Sequence, residues 1–173
     1  NLLENLLGWA KSQSGNLFLS PENINLNELV ESVFLLNKGN MSVKEIKFVS
    51  EVPDELSIFA DLNTMKIVMR NLLSNAIKFT PNKGTIKIIA RETDGNVQII
   101  VQDSGVGISE GNIPKLFDSN QHLTTYGTNR ESGSGLGLTL CHDFVIKNNG
   151  QINVESALDK GSSFFITLPK ASN

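Results

Sequence analysis

The sequence has few of the residues that disulfide bonds or metal clusters require. Its 173 residues include two histidines and a single cysteine, Cys141, which lies within an apolar helical pattern. This composition excludes a disulfide framework and a Cys/His metal cluster. No apolar run approaches the roughly 20 residues of a membrane-spanning helix. A net charge of −3, with no block of Lys or Arg, argues against nucleic acid as the main partner.

The overall composition is that of a globular domain. Hydrophobic residues make up 39% of the chain and charged residues 19%, and the length is sufficient for one domain with its own core. The chain does not begin with Met, and its first residues already follow a helical pattern. We therefore expect a fragment of a longer protein, with residues 1–17 as an appendage to a domain over residues 18–173.

Hydrophobic periodicity predicts three long helices and six strands. The helices are expected at about residues 26–36, 61–79 and 135–148, with a short helical piece at 113–117. Gly39 and Asn40 are expected to end the first helix. The strands are expected at about 46–52, 57–60, 85–93, 97–103, 151–156 and 162–168, and several pair as hairpins. Pro21 is expected to break the chain before the first helix. Helices on one face of such a sheet form a two-layer α+β sandwich.

The helix predicted at 61–79 carries a polar stripe beside its apolar one. Asn71, Asn75 and Lys78 are spaced i, i+4 and i+7, so they share one face. Asparagine is a poor helix former, and a solvated helix face normally carries Glu, Lys or Arg. The two amides therefore favour a specific ligand over a stripe that only faces water.

A glycine-rich segment runs from Gly133 to Leu138 and leads directly into the last predicted helix. Glycine allows close approach of the backbone to a ligand, and a helix N-terminus favours phosphate. A P-loop would require Gly-Lys-Ser/Thr after the glycines, and a Rossmann fingerprint would require a preceding strand; neither is present. The segment indicates an anion site of another kind or a structural turn.

A second candidate segment begins where the predicted strand 97–103 ends. Asp103 is followed by Gly105, Gly107 and Ile108. A carboxylate at this position can accept a hydrogen bond from an exocyclic amine, although a turn aspartate produces the same pattern. Residues 118–132 then lack any apolar period, and a loop of this length in a compact domain is typical of a functional lid.

Together these segments resemble the nucleotide-binding boxes of sensor histidine kinases. Residues 71–79 are similar to the N box and residues 103–107 to the first glycine box. Phe117 stands at the F box, and residues 133–138 match the second glycine box. The order and spacing agree over about residues 18–169. Residues 1–17 also resemble the end of the second dimerisation helix of these kinases, and the lid sequence at 127–131 resembles that of hybrid two-component sensors.

The resemblance implies the ATP-binding fold shared with gyrase-type ATPases, a mixed sheet covered by three helices. It assigns Asp103 to the adenine amine, Asn75 to Mg²⁺ and Lys78 to the phosphate charge. The other residues that it places around ATP are Phe79, Gly105, Gly107, Ile108, Gly133, Gly135, Leu136, Gly137 and Leu138.

The resemblance also bears on the reaction. Gyrase-type ATPases have a water-activating glutamate at the position of Asn71, and an amide cannot accept a proton, so phosphoryl transfer to a protein nucleophile is favoured over hydrolysis. The family's acceptor histidine lies in the first dimerisation helix, and neither His122 in the lid nor His142 in the last helix occupies that position. We expect the γ-phosphoryl to pass to a histidine on a dimerisation domain outside this chain, and no self-phosphorylation.

Two other interpretations remain at this point. One is an ATPase or a serine kinase of the same fold, and the other is a degenerate nucleotide-sensing or interaction module without catalysis. The partners implied by the leading interpretation are the dimerisation domain, a response regulator receiver domain and a second copy of the parent protein. The implied location is the cytoplasm, with the parent anchored in the inner membrane. We also expect the lid to become ordered when ATP and Mg²⁺ bind.

Overall fold

A computed structural model describes residues 18–118, 126–129, 131 and 135–171 of the chain. The appendage at 1–17, His122, Gly133 and much of the expected lid lie outside the described residues, so the predictions for them stay predictions.

The described residues form three α-helices and seven strands. The helices are α1 (Leu26–Val43), α2 (Leu62–Phe79) and α3 (Gly137–Lys147). The strands are β1 (Pro21–Asn25), β2 (Lys47–Glu51), β3 (Ser57–Asp61), β4 (Thr85–Thr93), β5 (Asn96–Asp103), β6 (Gln151–Ser156) and β7 (Ser162–Pro169). The six predicted strands and three long helices are confirmed, with shifts of one or two residues at most of their ends and a larger one at the end of α1.

Five strands form a mixed sheet in the order β2-β4-β5-β7-β6. Strand β2 runs parallel to β4, and the other neighbours are antiparallel. Along β7, every second residue from Ser162 to Leu168 is buried, and the same alternation appears at Ile86, Ile88 and Ala90 of β4. One face of the sheet therefore carries the core and packs against the helices, which confirms the two-layer α+β sandwich.

Helix α2 is the central element of the helical layer and contacts both α1 and α3. Its N-cap is Asp61, as predicted, and the carboxylate accepts a hydrogen bond from the Thr64 amide at 2.8 Å. The apolar stripe of α2 is almost completely buried, including Met65, Val68 and Leu72. Because the apolar stripe is packed in the core, the rotation of α2 about its axis is fixed, and so is the direction in which its polar stripe faces.

Three boundaries differ from the predictions. Helix α1 continues past Gly39 to Val43, because Gly39 lies in open space on the exposed side while Met41 extends the buried stripe. Pro21 does not break the chain but begins strand β1, which pairs only with β3 in a separate two-stranded sheet, where an edge tolerates a missing donor. The short helix expected at 113–117 is a 3₁₀ helix at Glu110–Lys115.

Candidate nucleotide-binding site

Helix α2 brings its polar stripe to the N-terminus of α3. Asn71, Asn75 and Lys78 are each half-buried. Gly137 is the first residue of α3, and a Cβ added there would lie 3.2 Å from the Asn71 Oδ1 atom. The N box and the second glycine box thus meet directly, although Gly137 follows Asn71 by 66 positions in the sequence.

The N-terminus of α3 is shaped like an anion site. Gly135 adopts a φ of +73°, which turns the chain into the helix, and the N-cap residue is Leu136. A leucine side chain has no acceptor for the first-turn N–H groups, which a helix start leaves without intrahelical partners. These backbone N–H groups carry the positive end of the helix dipole. They lie beside the Asn71 side chain of α2. Leu138 packs its half-buried side chain against the core and holds this end in place.

Asp103 ends the central strand β5 and is 7% exposed. Its Oδ1 atom accepts hydrogen bonds from the Gly105 amide at 2.8 Å and the Ser162 amide at 3.3 Å. Burial raises the pKa of the Asp103 carboxyl above its ordinary value, and these two amides oppose that effect. A carboxylate held by one oxygen in this way keeps its second oxygen as an acceptor for a ligand amine.

The first glycine box needs its glycines for packing within the chain. A Cβ on Gly105 would lie 2.6 Å from the Phe79 carbonyl oxygen, and the Val106 amide donates to that oxygen at 3.2 Å. Gly107 has a φ of +70°, and an added Cβ would overlap the carbonyl of Ala157. The loop is therefore seated between the end of α2 and the turn before β7.

The same loop is fixed to the sheet by Ile108, whose amide donates to Ser156 Oγ at 2.8 Å. The Ile108 side chain is half-buried against the core. Phe117 is also half-buried against the core, and its ring centroid lies 5.6 Å from that of His142. The F box thus contacts α3 just beyond the second glycine box.

Lys78 lies at the end of the polar stripe, with its ammonium 4.7 Å from the centroid of the Phe79 ring. Burial lowers the pKa of Lys78, and the nearby Glu131 carboxylate raises it again in part. Phe79 is half-buried, and its carbonyl accepts from the Val106 amide of the first glycine box. Its ring lies beside the Lys78 ammonium.

Two residues of this region were not anticipated from the sequence. Ser162 stands opposite Asp103 in the β5–β7 pairing, and the only signal for it is the strand register. Lys44 is 3% exposed and places its ammonium against the C-terminal end of α2. No local pattern distinguishes this lysine from its solvated neighbours in the sequence.

Comparison with known proteins places this geometry in a family. The family model described as "Histidine kinase-, DNA gyrase B-, and HSP90-like ATPase" matches residues 60–172. The chain belongs to this family. The matched range contains Asn71, Asn75, Asp103 and both glycine boxes, while α1 and Lys44 precede it.

The curated relatives of this ATPase-family chain include proteins named as a sensory kinase and as a sensor. The adaptive-response sensory kinase SasA of Synechococcus sp. (strain JA-2-3B'a(2-13)) is 33% identical over 98% of this chain and 45% of its own length. The methyl sulfide methyltransferase-associated sensor of Methanosarcina acetivorans is 33% identical over 98% of this chain and 17% of its own length. The chain thus spans less than half of the curated relatives that it matches.

Solved structures agree with this assignment. The nucleotide-free catalytic domain of histidine kinase ThkA is 31% identical, with a TM-score of 0.76 over 88% of this chain and 97% of that one. ThkA in complex with the response regulator protein TrrA aligns with a TM-score of 0.75 at 26% identity, over 98% of this chain and 48% of that one. The chain therefore has the fold of the ATPase-type catalytic domain of histidine kinases.

Proposed function

We propose that this domain binds ATP with Mg²⁺ and donates the γ-phosphoryl group to a histidine of a dimerisation domain. The observation that carries the proposal is the Asp103 carboxylate, which is buried at the end of β5 and held through one oxygen by two backbone amides. The polar stripe of α2 and the N-terminus of α3 meet on the same side of the fold. An amine acceptor and an anion site in one domain suit an adenine nucleotide.

In this proposal the adenine amine donates to Asp103, and the phosphates lie at the start of α3. Lys78 offsets phosphate charge, which is the main requirement of phosphoryl transfer beyond positioning. Phe79 forms a wall of the pocket. The residues that line the nucleotide through the two glycine boxes are Gly105, Gly107, Ile108, Gly133, Gly135, Leu136, Gly137 and Leu138.

The residues present fit a magnesium ion that arrives with the nucleotide. Among the described residues, no group of three His, Cys, Asp or Glu side chains could hold a metal. The half-buried side chain of Asn75 offers an amide oxygen, which is a hard ligand. Mg²⁺ takes most of its ligands from phosphates and water when the protein offers one or two oxygens. When bound, the ion would neutralise the charge that develops on the phosphates.

Asn71 supports transfer over hydrolysis. Its side chain lies against Gly137, where the phosphates are proposed to bind, and an amide cannot take a proton from water. Without a base at this position to activate water, a protein side chain is the favoured nucleophile. His142 does not fit, because it lies on α3 with its ring beside Phe117.

We further propose that the acceptor histidine belongs to a dimerisation domain of the same parent protein, which acts as a homodimer. A response regulator receiver domain would take the phosphoryl group next, by analogy with the ThkA complex. None of the described helices is both long enough and apolar enough to span a membrane. A cytoplasmic position of this domain beneath a membrane anchor in the parent is part of the proposal.

The test is γ-labelled ATP incubated with the chain and a dimerisation domain that carries the histidine. We expect label on that histidine, dependence on Mg²⁺, and a much lower rate in Asn75→Ala. Rapid release of inorganic phosphate without transfer would instead indicate an ATPase, and label on serine a serine kinase. Absence of nucleotide binding would indicate the non-catalytic module.

A further inference from the structure

Lys44 is buried at the C-terminal end of α2, although it belongs to the end of α1. Its ammonium lies within hydrogen-bond distance of the carbonyl oxygens of Ile77 at 2.8 Å, Lys78 at 3.1 Å and Thr80 at 3.4 Å. The last carbonyls of a helix lack intrahelical partners and carry the negative end of its dipole, so a cation is favoured there. Lys44, at the end of α1, thus caps the C-terminal end of α2.

The Lys44 ammonium also contacts two residues in the later part of the expected lid, Thr128 and Glu131. It donates to Thr128 Oγ1 at 2.8 Å and forms an ion pair with Glu131 Oε1 at 2.7 Å. The backbone repeats this attachment, because the Thr128 amide donates to the Lys78 carbonyl at 3.0 Å. We call Lys44, Thr128 and Glu131 the clasp.

The clasp adjoins the proposed phosphate side of the site. A Cβ on Gly127 would press on both the Glu131 carboxylate and the Lys78 Cγ atom, so these two side chains are neighbours. The backbone at 127 is itself closed into a turn by a hydrogen bond from its amide to the Glu131 carbonyl at 2.9 Å. The position of this turn therefore decides what surrounds the Lys78 side chain.

We propose that Lys44 is a positioning residue for nucleotide binding, which acts by holding Thr128 and Glu131 against the C-terminal end of α2. The inference rests on the proposed function. Residues that are already anchored lose less conformational entropy when a nucleotide binds beside them, so the affinity for nucleotide is higher. The clasp also fixes the Lys78 backbone from which the phosphate-binding side chain extends.

Glu131→Gln tests the clasp with little risk to the fold, because the Glu131 side chain is 36% exposed and glutamine keeps its shape. The matched control is Glu92→Gln, which breaks the Lys170–Glu92 ion pair of 2.8 Å. That pair lies about 20 Å along β4 from the end of the strand nearest Asp103. Amide hydrogen exchange and calorimetric titration with a non-hydrolysable ATP analogue are measured on both variants.

For Glu131→Gln we expect the amides of Gly127 and Thr128 to exchange about tenfold faster, since glutamine keeps an acceptor oxygen but removes the negative charge that attracts the Lys44 ammonium. The Kd for the analogue should rise about three- to tenfold. Exchange in the middle of α2 should stay unchanged, and Glu92→Gln should alter neither quantity. Lys44→Met should give the larger effect, and adding Glu131→Gln to it should have little further effect because the two act as one unit.

Unchanged exchange at 127 and 128, or an unchanged or lower Kd in Glu131→Gln, would overturn the proposal even if Lys44→Met fails to fold. If the wild-type chain binds no analogue, both this inference and the proposed function fail. If the wild-type chain binds and Glu131→Gln binds equally well, the inference alone fails.

Discussion

Asp103 combines a proposed ligand contact with a cost to stability. Its carboxylate is buried and has lost its hydrating water. The two backbone amides that donate hydrogen bonds to it compensate for this loss only in part. Because its pKa is raised in the folded state, the folded protein holds the proton more tightly than the unfolded chain does. Stability is therefore lost as the pH rises through the interval between the unfolded and folded pKa values.

We predict that Asp103→Asn melts at a higher temperature than the wild type at about pH 7, because the amide keeps the acceptor for Gly105 without a buried charge. The difference should shrink as the pH falls through the raised folded-state pKa of Asp103, because protonation then removes the buried charge from the wild type. Thermal denaturation of both proteins across this pH range checks the prediction. A variant that melts below the wild type at every pH would contradict the account of Asp103.

Gly107 of the first glycine box and Gly137 of the second have different structural roles, and substitutions at the two positions should distinguish these roles. Gly107 has a positive φ and lies against the Ala157 carbonyl, so Gly107→Ala should lower the free energy of unfolding by about 2–4 kcal/mol. Gly137 has helical geometry and its neighbour is the Asn71 side chain at 3.2 Å. Gly137→Ala should leave the free energy of unfolding within about 1 kcal/mol of the wild type, because alanine favours the helix.

The two substitutions should rank in the opposite order in their effects on nucleotide affinity and on stability. Measured on folded protein, Gly137→Ala should weaken nucleotide binding more than Gly107→Ala. The Gly137→Ala methyl group pushes on Asn71 at the proposed phosphate position, so the Kd for an ATP analogue should rise several-fold in a stable protein. Denaturant unfolding and calorimetric titration of the two variants provide the comparison. Similar losses of stability in both variants would show that the second glycine box is a structural turn only.

At the scale of elements, local signals determined what could be predicted. Asp61 caps α2 and Asp103 ends β5 in the structure as in the prediction, because periodicity and capping act within a few residues. The end of α1 was misplaced at Gly39 because a glycine on an exposed helical face costs only about 1 kcal/mol, which the burial of Met41 offsets.

At the scale of the whole molecule, the missed residues are those whose partners are distant in sequence. Lys44 bonds to groups 33 and 84 residues away, and Ser162 contacts a carboxylate 59 residues away. Such pairs arise from the sheet order and from the packing of α1 on α2, which no local pattern encodes. The parallel pairing of β2 with β4 was likewise not specified by the periodicity of either strand.

Recognition of the adenine amine by Asp103 is the central proposal for this site. Calorimetric titration with non-hydrolysable adenosine and inosine triphosphate analogues, with Mg²⁺ present, tests it directly, because inosine replaces the exocyclic amine with a carbonyl. The wild type should bind the adenosine analogue at least about tenfold more tightly, and this preference should vanish or reverse in Asp103→Asn, whose amide can donate to the carbonyl. Equal affinity of the wild type for both analogues, or binding of neither, would contradict the assignment of this site to ATP.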